Sequence, residues 1–118
     1  MFRFFQLRVY GLAKDFYREV ILITKSLPNE FLELKIQLRR AALSIVLNIA
    51  EGAGKPSKKD FARYLGNSLG SINEVVAGLD LAKDEKLIPQ NKFEELLEKA
   101  ESLRNQIGSF YKKLRAEN

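Results

Sequence analysis

The chain has 118 residues, a length that fits a single domain over residues 1–118 with one modest core. It contains no Cys and no His, which excludes disulfides, thiol nucleophiles and thiolate metal sites, and removes the commonest metal ligand and the commonest general base. Twenty basic residues against 15 acidic ones give a net charge of +5, and 46% hydrophobic content excludes wholesale disorder. We therefore expect a folded protein that is not an enzyme, with no catalytic residue, metal, cofactor or small-molecule substrate.

Four segments place apolar residues at steps of three and four, the pattern of amphipathic helices. The predicted helices span about residues 6–26, 30–51, 57–86 and 90–115. Pro28 ends the first helix, and Asn29 is placed to cap the second. Glycines in the run 52–56 end the second helix, and Ser57 caps the third. Short connections between long helices predict an all-α, antiparallel up-down-up-down four-helix bundle.

The second helix carries two apolar faces, whereas a helix in an isolated bundle buries only one. The third helix adds small residues away from its core face. Exposed apolar stripes of this size mark interfaces, so we predict a homo-oligomer. The predicted interface residues are Leu32, Ile36, Leu43, Leu47, Gly66 and Gly70.

A polar stripe on the second helix predicts a hydrogen-bonded network that fixes the helix register. Counting back from the turn places Glu74 of the third helix within reach of Lys35 or Arg39. A binding or catalytic cluster is the alternative interpretation. The predicted network comprises Gln37, Arg40, Ser44, Asn48, Glu51 and Glu74.

The basic surplus is concentrated around the turn between the second and third helices, where residues 53–65 carry four basic groups and one acidic group. Such a cluster favours an anionic partner such as RNA, although a solvated basic face is the alternative. The predicted nucleic-acid contacts are Lys55, Lys58, Lys59 and Arg63, with Arg39 and Arg40 as weaker candidates.

Two further patterns bear on ligand binding. The run Gly52-Ala53-Gly54-Lys55 is not a phosphate-binding loop of the nucleotide-binding type, because it follows a helix and Pro56 replaces the required Ser or Thr. On the first helix, Lys14, Arg18 and Lys25 lie beside Tyr10 and Tyr17. Basic and aromatic residues interleaved in this way suit single-stranded nucleic acid, or else an oligomer contact.

No membrane or export signal is predicted. The longest nearly apolar run, residues 41–50, is far shorter than the roughly 20 residues that span a bilayer. The first residues, Met1-Phe2-Arg3-Phe4-Phe5, lack a long apolar stretch and a small-residue cleavage site. We therefore expect a cytoplasmic protein with no membrane partner.

The run Gln-Leu-Arg-Arg-Ala-Ala-Leu-Ser-Ile-Val-Leu-Asn-Ile-Ala-Glu-Gly, residues 37–52, resembles the signature of the 23S rRNA intervening-sequence protein family, also called the four-helix-bundle protein family. The third helix adds Asp60-Phe61 and Leu69-Gly70-Ser71-Ile72 followed by Glu74. Three positions depart from the family pattern. Val46 replaces a frequent Pro, Leu47 replaces a small or polar residue, and Lys55 replaces Arg.

The resemblance implies a small antiparallel bundle that assembles as a ring, expected to be a homopentamer. It also implies an association with ribosomal RNA, because relatives are encoded within intervening sequences of large-subunit rRNA genes. Related pentameric bundles act as accessory factors of diversity-generating retroelements. The functional residues of the family are not settled, so no site is transferred by motif. The expected function is a homo-oligomeric bundle associated with RNA or the ribosome, and the alternative is a protein-interaction scaffold that does not bind nucleic acid.

Overall fold

Four long helices account for most of the chain in the computed structural model, which describes residues 2–117. The helices are α1 (Arg8–Lys25), α2 (Leu32–Ala53), α3 (Lys58–Asp84) and α4 (Gln90–Ala116), and two short 3-10 helices span Arg3–Gln6 and Asn29–Phe31. Within residues 2–117 there is no β-strand, so the prediction of an all-helical four-helix chain is confirmed. The molecule is elongated, with extents of 46 × 22 × 19 Å.

The ends of the helices show which of the predicted capping residues act as caps. Ser57 accepts a hydrogen bond from the backbone N–H of Asp60 at 3.0 Å, so the predicted cap of α3 is confirmed. Asn29 does not cap α2, because it lies inside the 3-10 turn that precedes the helix, and Phe31 occupies the N-cap position of α2. At the start of α1, Leu7 adopts an extended conformation and separates the helix from the 3-10 turn before it.

The core is built from the predicted apolar stripes of all four helices. Each stripe turns inward because burying an aliphatic side chain contributes about 1.5–3 kcal/mol. Large side chains that are almost completely buried come from α2, α3 and α4, namely Leu38, Ile45, Ile49, Leu65, Ile72, Leu79, Leu96 and Ile107.

Polar contacts fix how the helices align. Ser71 Oγ donates to Ser44 Oγ at 2.8 Å, and Asn67 Nδ2 donates to Asn48 Oδ1 at 3.3 Å. Sequence numbers therefore rise along α2 as they fall along α3. Between α1 and α4, Lys99 Nζ donates to Glu19 at 2.6 Å. Helix α1 also contacts α2, and α3 contacts α4, so each helix has two helical neighbours.

Candidate nucleic-acid interface

The turn between α2 and α3 is held tightly by its own backbone. The N–H of Gly54 donates to the carbonyl of Glu51 at 3.1 Å, and the N–H of Lys55 donates to the carbonyl of Gly52 at 3.0 Å. Pro56 lies between these bonds and the Ser57 cap of α3. The turn therefore presents its side chains from a rigid support at one end of the bundle.

Gly52 has a packing role that differs from the predicted helix cap. It is buried within α2, and a Cβ placed on it would lie 2.8 Å from the Cβ of Tyr64 and 2.9 Å from a ring carbon of Phe61. Real Cβ atoms do not approach side chains so closely, so only glycine lets α2 and α3 meet here. The close approach positions the basic residues on both sides of the turn.

Four of the predicted RNA contacts share this end of the molecule, and we call Lys55, Lys58, Lys59 and Arg63 the basic turn. Lys55 Nζ lies 5.1 Å from the ring centre of Tyr64, and the guanidinium of Arg63 lies 4.6 Å from the same ring. Tyr64 is therefore flanked by two cations. Lys59 is exposed and has no ion-pair partner within residues 2–117.

Three carboxylates lie next to the basic turn. Lys58 Nζ contacts Glu117 at 2.7 Å, Arg63 Nε lies 3.7 Å from Asp60, and Lys55 Nζ lies 4.0 Å from Glu51. The hydrogen bond from Lys58 and its positive charge lower the pKa of Glu117. Exposed ion pairs of this kind are weak, so a phosphate group competes well for the same cations.

The two weaker candidates do not belong to this cluster. Arg39 Nε donates to the buried hydroxyl of Thr24 at 2.8 Å, which ties α2 to α1. Arg40 is exposed on α2. With a rise of 1.5 Å per residue, position 39 lies about 21 Å along the axis from the end of α2 at Ala53. The basic turn and the two arginines are therefore separate features.

A polar network joins α2 to α3, and of the predicted members it contains Ser44 and Asn48. Asn48 Nδ2 donates to the carbonyl and the hydroxyl of Ser44, and both residues bond to partners on α3. The buried Ser68 donates to the carbonyl of Ile45 at 2.9 Å. The partners on α3 are Asn67, Ser68 and Ser71.

The other predicted members lie outside this network. Glu51 approaches Lys55 of the basic turn instead. Gln37, Arg40 and Glu74 are exposed, and they form no side-chain hydrogen bond or ion pair within residues 2–117. The expected contact between Glu74 and Arg39 is not formed, because Arg39 turns toward Thr24 on α1.

The second apolar face of α2 is exposed. Leu32 and Leu47 retain 52% and 54% of their accessible surface, and Ile36 and Leu43 are also exposed. We call these four residues the apolar face. Gly70 is open, with no atom within 4 Å of a Cβ placed there.

Gly66 lies elsewhere in the fold. A Cβ on it would lie 3.4 Å from the ring of Tyr111, so this glycine packs inside the chain against α4. It is half-buried there and does not extend the apolar face.

The N-terminal segment is a feature that the helical pattern did not reveal. Residues Arg3–Gln6 form a 3-10 helix next to the basic turn, and the guanidinium of Arg3 lies 5.3 Å from the ring centre of Phe61. The available signal was the aromatic run Phe2-Arg3-Phe4-Phe5, which has no helical period. The segment adds another cation and several aromatic rings to this end of the bundle.

Residues 2–117 offer neither a metal site nor a membrane span. No group of three or more acidic side chains is placed to hold a metal ion in this range. No helix in this part of the chain is both long and apolar enough to cross a bilayer.

Comparisons with known proteins agree with the observed architecture. Residues 5–109 match the family model of the 23S rRNA-intervening sequence proteins. A crystal structure of a protein of unknown function from the S23 ribosomal protein family of Bacteroides thetaiotaomicron superposes with a TM-score of 0.81. The two sequences are 25% identical, and the match covers 88% of this chain and 98% of that one. No curated protein matches the chain.

Proposed function

Because this chain belongs to the 23S rRNA-intervening sequence protein family, we propose that it is a homo-oligomeric bundle without enzymatic activity that binds RNA phosphates at the basic turn. The observation that carries the proposal is the convergence of Lys55, Lys58, Lys59 and Arg63 on one rigid end of the molecule. Cations held on a stable support lose little entropy when they meet a phosphate.

The binding mechanism is charge neutralisation with little reading of base identity. Lysine and arginine side chains displace counterions from the RNA backbone, and such contacts position a protein without specifying sequence. Lys59, which is free of acidic partners within residues 2–117, meets a phosphate without breaking an ion pair. Lys58 must first exchange its carboxylate partner Glu117 for the phosphate.

The assembly completes the proposal. We propose antiparallel up-down-up-down helices and a ring, expected to be a pentamer, in which the apolar face of α2 is covered by a second copy. Two observations support this: the face exposes four large aliphatic residues, and it lies on the helix whose opposite side forms the core. A ring would repeat the +5 charge of each chain and place several basic turns on one assembly.

The alternative is a protein-interaction scaffold that does not bind nucleic acid. The apolar face favours a scaffold equally, since a different protein would also cover these aliphatic side chains. In that case the basic turn is an ordinary solvated surface, which the carboxylates beside it would partly neutralise.

RNA titration separates the two functions. The nuclease-treated protein is titrated into a labelled 23S rRNA fragment and an unrelated RNA of equal length at several salt concentrations. Binding should weaken steeply with salt, and a Lys55→Ala/Lys58→Ala/Lys59→Ala variant should abolish most of it. The plot of log K against log salt should become less steep in the variant. Its slope should shrink in magnitude by about 0.7–0.9 for each phosphate that the variant no longer neutralises. A preference for the 23S fragment would indicate a ribosomal role.

The control variant removes the same charge from other parts of the chain. Lys35, Lys86 and Lys92 lie outside the basic turn, in α2, in the turn between α3 and α4, and in α4. Changing these three lysines to alanine should leave the affinity and the salt slope close to those of the natural protein. An equal drop in affinity for both variants would show a diffuse charge effect and contradict a site at the turn. Absence of binding at low salt would favour the scaffold.

A further inference from the structure

The N-terminal segment exposes aromatic rings that the fold itself does not need. Phe2 retains 70% of its accessible surface and Phe5 retains 61%. Leaving such large apolar side chains in water forgoes the free energy that their burial would provide. Exposed rings of this kind suit a surface that a binding partner covers.

The two rings are held in place by a half-buried neighbour. The ring centre of Phe4 lies 4.9 Å from that of Tyr10 on α1, 4.5 Å from Phe5 and 5.8 Å from Phe2. Phe5 also meets Tyr10 edge to face, with ring centres 6.1 Å apart. These four residues, which we call the aromatic cluster, form one continuous surface anchored on α1.

Cations lie directly beside these rings. Phe2, Phe4, Arg3 and Lys55 all line a cavity of about 550 Å³ between the N-terminal segment and the end of α2. Arg3 and Lys55 also line an adjoining cavity of about 350 Å³ that reaches Lys58. The aromatic cluster is therefore continuous with the basic turn.

We propose that this end of the bundle binds an unpaired stretch of RNA, with bases stacking on Phe2 and Phe5 while Arg3 and Lys55 contact the adjacent phosphates. The inference rests on the proposed RNA binding at the basic turn and adds the class of RNA. Aromatic rings stack only on bases whose faces are free, and a duplex hides those faces. Stacking tolerates any base, which agrees with phosphate contacts that do not read base identity.

A second copy of the chain is a less suitable occupant of this surface. The cores of protein interfaces are depleted of charged residues. Here Arg3 and Lys55 line the same cavity as Phe2 and Phe4, and Glu51 is the one carboxylate in that lining. Covering the cavity with an apolar partner would therefore bury two cations with a single counter-ion. An anionic strand with aromatic bases matches both chemical features.

The test compares one labelled RNA strand alone with the same strand in a duplex, by fluorescence anisotropy at fixed salt. The natural protein should bind the single strand more tightly. A Phe2→Leu/Phe5→Leu variant, which keeps the apolar bulk and removes the rings, should bind the single strand about fivefold or more weakly. Its affinity for the duplex should stay the same. A Phe2→Tyr/Phe5→Tyr variant keeps the rings and should retain single-strand binding.

The outcomes separate this inference from the proposed function. If the leucine variant binds both RNAs like the natural protein, the stacking inference is wrong. RNA binding at the basic turn is then still supported if the triple lysine variant fails to bind RNA. If neither RNA binds the natural protein, both proposals fail. If the leucine variant changes the molecular mass in light scattering, the rings belong to a contact between copies, which overturns the inference.

Discussion

Gly52 of α2 and Tyr64 of α3 lie so close together that the backbone at Gly52 packs directly against the Tyr64 side chain. A Cβ on Gly52 would lie 2.8 Å from the Cβ of Tyr64 and 2.9 Å from a ring carbon of Phe61. The same tyrosine ring faces Lys55 and Arg63. One close contact therefore fixes the helix spacing and the position of two cations of the basic turn.

A methyl group at Gly52 should force the two helices apart. Overpacking of this kind costs about 1–3 kcal/mol, so Gly52→Ala should lower the free energy of unfolding by that amount in urea denaturation. The control is Gly108→Ala on α4, where a Cβ meets nothing within 4 Å. That substitution should stabilise the protein by about 0.5–1 kcal/mol, because alanine favours a helix over glycine. Equal effects of the two substitutions would contradict the packing role of Gly52.

The pairing of Lys58 with Glu117 should restrain RNA binding, because the carboxylate competes with phosphate for the same ammonium group. Glu117→Gln removes this competition, and we expect RNA affinity to rise about two- to fivefold, as expected for an exposed ion pair. Glu98→Gln removes an equal charge from the first half of α4 and should change affinity less. Anisotropy titrations at low salt measure both. A larger gain for Glu98→Gln would refute the local competition.

Helical periodicity predicted the core well, because an inward-facing residue recurs at steps of three and four whatever its partner is. Leu38 and Ile45 of α2 and Leu65 of α3 follow this spacing and are buried. Polar partners were harder to predict, since they depend on the register between two helices. Ser44 and Asn48 were assigned to a network, but their partners on α3 were not identified.

Non-periodic features were missed for physical reasons. A glycine near a helix end suggests a cap, so the close packing of Gly52 against α3 was not visible in the sequence. The aromatic cluster begins in a segment without helical period, and Phe2 and Phe5 have no apolar pattern to align with. Whether the apolar face and the basic turn act as predicted depends on partners outside the chain, which no pattern within it specifies.

The apolar face of α2 should control assembly. A Leu43→Asp/Leu47→Asp variant places charges in the middle of this face, and charge at the centre of an apolar interface is costly. Light scattering should show the natural protein at a multiple of 13.5 kDa and the variant near a single 13.5 kDa chain, with its helical circular dichroism unchanged. Leu22→Asp on α1, at a leucine that is more exposed than Leu43 or Leu47, should leave the mass unchanged. A natural protein of 13.5 kDa would refute the oligomer.

Arg39 should act in folding through Thr24. The Thr24 hydroxyl is fully buried, accepts from Arg39 at 2.8 Å and donates to the carbonyl of Ile21. Thr24→Val keeps the shape and leaves the arginine without its partner, which should cost about 1–3 kcal/mol of unfolding free energy. In an Arg39→Met background the same substitution should cost less, and the double-mutant cycle measures the difference. Additive effects would show that the two side chains are not coupled.

Lys86 is held in a backbone conformation that suits glycine. Its φ is 59°, in the turn that ends α3, where the N–H of Leu87 donates to the carbonyl of Ala82 at 2.9 Å. A side chain in this left-handed region costs about 1–2 kcal/mol, so Lys86→Gly should raise the free energy of unfolding by about 1 kcal/mol. Glu85→Gly, one residue earlier with a φ of −81°, should instead lower it by about 0.5–1 kcal/mol. Urea denaturation distinguishes the two signs, and a lower stability of Lys86→Gly would contradict strain at this turn.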